Sequence, residues 1–200
     1  MIPLLVALLC SYLIGSFPTG FLLVKWLKRI DLRAVGSGNI GATNVGRVAG
    51  VWASALVFVI DAAKGVLAVV VVAPRALPSP HPAAVFACGL AAVLGHTFPL
   101  FLHFKGGKGV ATTIGVLLSA MPPAGIVYLL VWMVCVMVWR YVSVGSLVAA
   151  ASIPLVQRLL QRSPAEILLG IALAFLIVLR HRANIDRLRR GTEPRIGHRP

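Results

Sequence analysis

Acidic residues are scarce in this chain: 5 Asp and Glu stand against 19 Lys and Arg among 200 residues, a formal charge of +14. Charged residues of both signs make up only 12%, about half the usual quarter. With 59% of residues hydrophobic, this composition excludes a disordered chain, which needs low hydrophobicity, and does not suit a soluble globular domain. Cysteine is sparse too. Cys10, Cys88 and Cys135 each stand alone in an apolar run, without the spacing of a metal or redox pair. The histidines are scattered and the acids too few for a ligand cluster, so neither a metal nor a cofactor is expected. The N-terminus lacks a basic segment and a small-residue cleavage site, so its apolar stretch reads as a retained span. No internal repeat is visible, and no polar stretch has room for a soluble domain. Residues 1–200 therefore read as a single integral membrane domain.

What is present is apolar sequence in blocks. A helix needs about 20 apolar residues to cross the hydrocarbon core. Ile2 to Val24 carries no charge; Val48 to Ala73 carries Asp61 and Lys64; Ala83 to Leu102 contains His96. Val110 to Ala120, Ala124 to Trp139, Val142 to Val156 and Ala165 to Leu179 are shorter, and Met121-Pro122-Pro123 separates the first two of these. Cation placement chooses the count. With seven spans and the N-terminus outside, the inner segments 25–47, 103–109, 140–141 and the tail from Arg180 hold 5, 2, 1 and 7 cations. The outer loops hold only Arg75, Arg158 and Arg162. Merging residues 110–139 into one span would put the basic tail outside, against the positive-inside rule. The expected fold is an all-α polytopic bundle of about seven transmembrane helices, N-terminus out and C-terminus in. Cation retention on the inner side accounts for the charge without a nucleic-acid face, so anionic lipid and anionic substrates are the expected partners.

Three polar segments interrupt this pattern. The first is GSGNIGATN, Gly36 to Asn44, followed by Arg47. Its glycines Gly36, Gly38 and Gly41 permit unusual backbone geometry, and Ser37, Asn39, Thr43 and Asn44 supply neutral hydrogen-bonding groups. A helix starting near Val45 or Val48 would add free amides and a positive dipole end, completing a phosphate cradle. The competing reading is a flexible polar loop. Gly36 to Gly41 also matches G-x-G-x-x-G, but that fingerprint needs a βαβ unit, and apolar spans on both sides leave no room for one.

The second segment is GHTFPLFLHFKGGKGVATT, Gly95 to Thr113. Lys105 and Lys108 bracket Gly106 and Gly107, and a helix is expected near Val110. The lysines could attract anions, or anchor the inner side of the bundle; His96 could serve chemistry or be a satisfied core histidine. The third is RHRANIDRLRRGTEPRIG, Arg180 to Gly197. Arg180, Asn184 and Arg187 are spaced for one helix face that Gly191 would stop. A lipid-binding basic tail explains Arg189, Arg190 and Arg199 well and GTEPRIG poorly. His181 and Asp186 match the H-x-x-x-x-D acyltransferase signature, but five residues in a helix place them about 140° apart, so a working dyad is not expected. Asp61 and Lys64 lie within a span, where charges are functional or neutralise one another.

Together these segments resemble the bacterial integral-membrane acyl-phosphate:glycerol-3-phosphate acyltransferases, the PlsY family, over essentially the whole chain. The resemblance implies transfer of an acyl group from acyl phosphate to the 1-hydroxyl of sn-glycerol 3-phosphate, giving lysophosphatidic acid and phosphate, as the first step of phospholipid synthesis. It implies a site on the cytoplasmic face of the bacterial inner membrane, and the soluble phosphate acyltransferase that makes acyl phosphate as a partner. Carried onto this chain, Gly36, Ser37, Gly38, Asn39, Gly41, Thr43 and Asn44 would cradle the acyl-phosphate phosphoryl group. Arg47, Lys105 and Lys108, with Gly106 and Gly107 between the lysines, would meet substrate phosphates, and Lys64 would extend that site. His181 and Asn184 would help place glycerol 3-phosphate, and Glu193 would orient an arginine or the tail. His96 is the candidate base, with a substrate phosphate as the other acceptor of the proton. A small transporter of organic phosphates is the alternative, favoured by intramembrane charge but not by polar motifs gathered on one face. A lipid-binding scaffold would leave the polar motifs without a purpose.

Overall fold

A computed structural model describes residues 2–77, 79 and 81–197. Among these the chain is helical, with no strand. It forms two compact units, Met1–Ala120 and Met121–Pro200.

In the first unit the first apolar block is broken. Helix α1 covers Ile2–Ser16 and α2 covers Thr19–Lys28, with Pro18 between them, where a missing amide N–H ends the ladder. A polar stretch then leads to α3, Ala42–Ala49. Gly50 turns the chain at φ 91°, and α4 runs over Val51–Val66. Val48–Ala73 is therefore not one helix: α3 folds back on α4, and the Ser54 hydroxyl donates to the Ala42 carbonyl at 2.8 Å. A six-residue π-helical stretch, Leu67–Val72, carries α4 into α5, Ala73–Ala76. Helix α6 spans Pro82–Thr97 and α7 spans Val110–Ala120.

Without a hydrophobic force between helices in lipid, close packing of small residues holds such a unit together. A methyl group added at Gly15 would strike the Ala92 carbonyl, and one at Gly95 the Tyr12 carbonyl, so α1 and α6 meet backbone to backbone. Gly65 meets Thr112, and Gly115 meets Ala62, in the same way between α4 and α7. Gly115→Val should therefore lower the detergent melting temperature by the equivalent of about 1–3 kcal/mol of overpacking, while Gly50→Ala, where space is open, strains only φ. Thermal unfolding by tryptophan fluorescence checks the difference.

In the second unit, α8 is Pro122–Trp139, α9 is Val142–Leu159 with Pro154 inside it, α10 is Pro164–Arg180 and α11 is Arg182–Arg189. Ser163 and Glu166 cap α10 reciprocally. Among the described residues, five helical segments are long and apolar enough to cross a membrane: Pro3–Lys28, Val51–Ala76, Pro82–Leu102, Pro122–Trp139 and Val142–Leu159. The pair α10–α11, bent by 56°, makes a sixth if taken as one span. Helix α7, at 11 residues, is only about 16 Å long.

Candidate active site

The first unit holds two of the three polar segments. Residues 36–41 form a loop tied down by Asn44 in the first turn of α3. That side chain is buried; its Oδ1 accepts from the Ser37 amide at 2.8 Å, and its Nδ2 donates to the carbonyls of Val35 at 3.1 Å and Leu32 at 3.4 Å. Gly36 and Gly38 take left-handed φ of 60° and 69°, and a methyl group at Gly36 would collide with Asn44 Oδ1. Asn39 Oδ1 accepts from the Gly41 amide at 2.9 Å, turning the chain into α3. The helix begins at Ala42, not at Val45 or Val48. Asn39 starts it three residues earlier by supplying an Asx turn. Ser37, Thr43 and Arg47 are exposed.

The second loop returns to the end of α6. The Gly107 amide donates to the His96 carbonyl at 3.0 Å, and the Tyr12 hydroxyl donates to the Phe98 carbonyl at 2.6 Å. Added methyl groups at Gly106 and Gly107 would strike the His96 carbonyl and His96 Nε2, respectively, so these glycines let the loop lie against α6. His103 and Phe104 take φ of 51° and 61°, a left-handed pair that reverses the chain toward exposed Lys105. Both loops rest on one apolar cluster, in which Leu102 packs with Ile40, Val45, Leu32 and Val24. Gly107→Ala should depress both folding yield and turnover, since the His96 ring it meets is only 5% exposed. Purification yield and activity in the same detergent check this.

Below these loops lies a buried polar group. Lys64 Nζ donates to Asp61 Oδ1 at 2.5 Å and to the Phe17 carbonyl at 2.6 Å, beside the Pro18 break. His96 Nδ1 lies 3.6 Å from the same Asp61 oxygen, too long for a good hydrogen bond.

The third segment builds a separate cluster in the second unit. Glu193 is buried; its Oε1 accepts from the Ser143 hydroxyl and the Asn184 amide, both at 2.7 Å, and its Oε2 accepts from Arg187 Nε at 2.8 Å. The tail beyond it is pinned as well. The Ile196 amide donates to the Arg140 carbonyl at 2.8 Å, Arg140 donates to the Ile196 carbonyl at 2.9 Å, and Arg195 Nε donates to the Tyr141 hydroxyl at 2.9 Å. Burial pushes the Glu193 carboxyl up, but the hydrogen bonds from Asn184, Ser143 and Arg187 and the Arg187 charge together hold it below the usual glutamate range. A lowered carboxyl pKa stabilises the folded tail above the ordinary value of about 4.3 and loses that stabilisation as pH falls through the lowered one. The exchange protection of the Thr192 and Ile196 amides, which donate to the Arg187 and Arg140 carbonyls, should hold from neutral pH to about 4.3 and fall only below it.

A family model for glycerol-3-phosphate acyltransferase matches residues 5–191. Glycerol-3-phosphate acyltransferases of Synechococcus elongatus and Thermotoga petrophila are each 45% identical, covering 96% and 93% of this chain and 93% of each relative. That of Jannaschia is 47% identical over 94% of this chain and 91% of its own. The chain belongs to the glycerol-3-phosphate acyltransferase family. Its fold also matches PlsY, an integral membrane glycerol 3-phosphate acyltransferase. The glycerol 3-phosphate form has a TM-score of 0.88 at 40% identity, covering 97% of this chain and 96% of the other. The lysophosphatidic acid form has 0.85 at 37%, covering 97% and 95%. The chain is thus an all-α integral membrane protein of the PlsY family.

Within this acyltransferase frame, the sequence-chosen residues divide by unit. Gly36 to Arg47 and His96 to Lys108 share the first unit, while His181, Asn184 and Glu193 belong to the second. Lys64 is buried on Asp61 and the Phe17 carbonyl. Arg180 ends α10, and the bend at His181 separates it from the α11 residues Asn184 and Arg187, so the three do not share one helix face. His181 is buried with Nδ1 2.8 Å from the Ile177 carbonyl, whereas Asp186 is exposed and paired with Arg190 at 3.1 Å. Arg199 lies outside the described residues. Sequence reasoning missed Ser143, Arg140, Tyr141 and Tyr12. Tyr12 carried a signal, a phenol inside an apolar span; Ser143 carried none. No group of three or more His, Cys, Asp or Glu side chains suited to a metal occurs among the described residues.

Proposed function

We propose that this chain transfers an acyl group from acyl phosphate to the 1-hydroxyl of sn-glycerol 3-phosphate, releasing lysophosphatidic acid and inorganic phosphate. The observation that carries this reading is the placing of two anion-suited loops, one with exposed Ser37, Thr43 and Arg47 and one with Lys105 and Lys108, on a single apolar cluster. The named activity of its relatives supplies the acceptor. In the reaction, the hydroxyl oxygen bonds to the acyl carbonyl carbon, the carbon–oxygen bond to phosphate breaks, and phosphate leaves. An acyl phosphate has a good leaving group, so placing the substrates and screening two phosphates matter more than a strong base.

Ser37, Thr43 and the amides around Gly36, Gly38 and Gly41 meet the acyl-phosphate phosphoryl group, with Asn39 and Asn44 shaping that loop. Arg47, Lys105 and Lys108 screen phosphate charge. His181 and Asn184 contribute to placing glycerol 3-phosphate, and Glu193 fixes the Asn184 amide. The proton passes to a substrate phosphate oxygen, because His96 turns its ring nitrogens toward Asp61 and Gly107. The protein sits in the bacterial inner membrane with α7 and the bent α10–α11 pair completing seven spans, the polar loops and C-terminus facing the cytoplasm. The soluble enzyme that makes acyl phosphate supplies the donor. The matches name acyltransferases, and the transporter reading finds no support in them.

Purified protein in micelles, given labelled glycerol 3-phosphate with either palmitoyl phosphate or palmitoyl-CoA, tests the donor. Lysophosphatidic acid from palmitoyl phosphate alone is expected. Product from palmitoyl-CoA alone would contradict the phosphoryl-cradle role of residues 36–44.

A further inference from the structure

Asp61 and Lys64 do more in this fold than cancel each other's charge. Both are buried, at 2% and 4% exposed, and their ion pair joins three elements. Lys64 reaches back to the Phe17 carbonyl at the Pro18 break between α1 and α2, where the Thr19 amide also donates to it at 3.0 Å. Asp61 Oδ1 also faces His96 Nδ1 at 3.6 Å on α6. The opposite side of that imidazole, Nε2, lies against Gly107, whose own amide bonds the His96 carbonyl. The carboxylate, the ring and the 105–108 loop are therefore stacked in sequence. A π-helical stretch begins three residues after Lys64, a distortion often found beside functional residues in helices.

We propose that Asp61 is a positioning residue: the charge of its carboxylate, held by Lys64 at 3.6 Å from His96 Nδ1, electrostatically favours the Nδ1–H form and orientation of His96, and His96 supports the Gly106–Gly107 turn that places Lys105 and Lys108. The inference rests on the acyl-transfer reading above. A buried carboxylate facing one ring nitrogen favours the tautomer that turns its N–H toward that charge. A neutral pair of residues would preserve the charge balance of the span but not this orientation.

The test uses the full-length protein in micelles. Asp61→Asn combined with Lys64→Gln removes both charges together, so no buried charge is left alone. The expected double variant melts near the parent but loses about tenfold or more in kcat/KM, mainly through a raised KM for the phosphate substrates. Parental kcat/KM in the folded double variant would overturn the proposal, leaving only charge balance for the pair. Should that variant not fold, the parent itself gives a second reading. Nitrogen-15 spectra of labelled histidine, with His96 assigned by its loss in His96→Gln, are expected to show protonated Nδ1 and unprotonated Nε2. The opposite tautomer would overturn the proposal. Absence of product from the parent enzyme would instead overturn the acyl-transfer reading, so the two failures are distinguishable.

Discussion

Asn44→Ala is expected to reduce kcat/KM by about 100-fold or more while leaving the packing of α1 with α6 and of α4 with α7 in place. The side chain is 2% exposed; its Oδ1 accepts from the Ser37 amide, and its Nδ2 donates to the carbonyls of Val35 and Leu32. Truncation leaves these groups poorly paired at about 1–3 kcal/mol each, and each 1.4 kcal/mol is a factor of ten. The loop then loses the left-handed turns at Gly36 and Gly38 that present Ser37. Asn44→Asp separates shape from bonding. It keeps an acceptor for Ser37 but loses the donor to Val35, so its activity should lie between parent and alanine variant. Steady-state kinetics on both variants, with melting temperatures alongside, check this. An alanine variant with parental kinetics would show that the loop holds its shape without Asn44.

Glu193→Ala should have the second-largest effect. One buried carboxylate organises Ser143, Asn184 and Arg187, and its removal costs less than the about 3–5 kcal/mol of a fully buried pair, because Arg187 is one-third exposed and solvent screens it. Part of that loss falls on the tail, which stays pinned through Arg140 and Tyr141. The rest falls on Asn184. The expected result is a KM for glycerol 3-phosphate raised about tenfold or more, with a smaller change in kcat. Glu193→Gln keeps an acceptor for Ser143 or Asn184 but weakens the bond from Arg187, and should lose less. A variant whose KM for glycerol 3-phosphate is unchanged would detach Asn184 from substrate binding.

The all-helical membrane character of the fold could be read from composition, because the hydrophobic demand of a bilayer leaves long blocks with few alternatives. The ends of those blocks could not. Residue Gly50 sits in an apolar run without a charge to mark a boundary, yet its left-handed φ turns α3 back on α4. The start of α3 was misplaced because Asn39 makes the turn that a later residue was expected to make. In the polar segments, residue choice showed where the loops are but not what each atom does. Asn44 has the composition of a ligand donor and the contacts of a clamp. Gly106 and Gly107 have the look of a ligand approach, and their space is taken by α6. Lys64 could be placed only by finding the carbonyl it meets, which depends on a helix break 47 positions away. Glu193 is the opposite case: an acid among arginines, in a segment a lipid-binding tail leaves unexplained, is found orienting Arg187 and Asn184.

The central claim is transfer between two phosphate-bearing substrates rather than hydrolysis or transport. Its most direct measurement follows palmitoyl phosphate, glycerol 3-phosphate, lysophosphatidic acid and free phosphate together, using the purified protein in micelles. The account predicts one phosphate released for each lysophosphatidic acid formed, with both absent when glycerol 3-phosphate is omitted. Phosphate release that does not depend on glycerol 3-phosphate, or no product from folded protein, would contradict it.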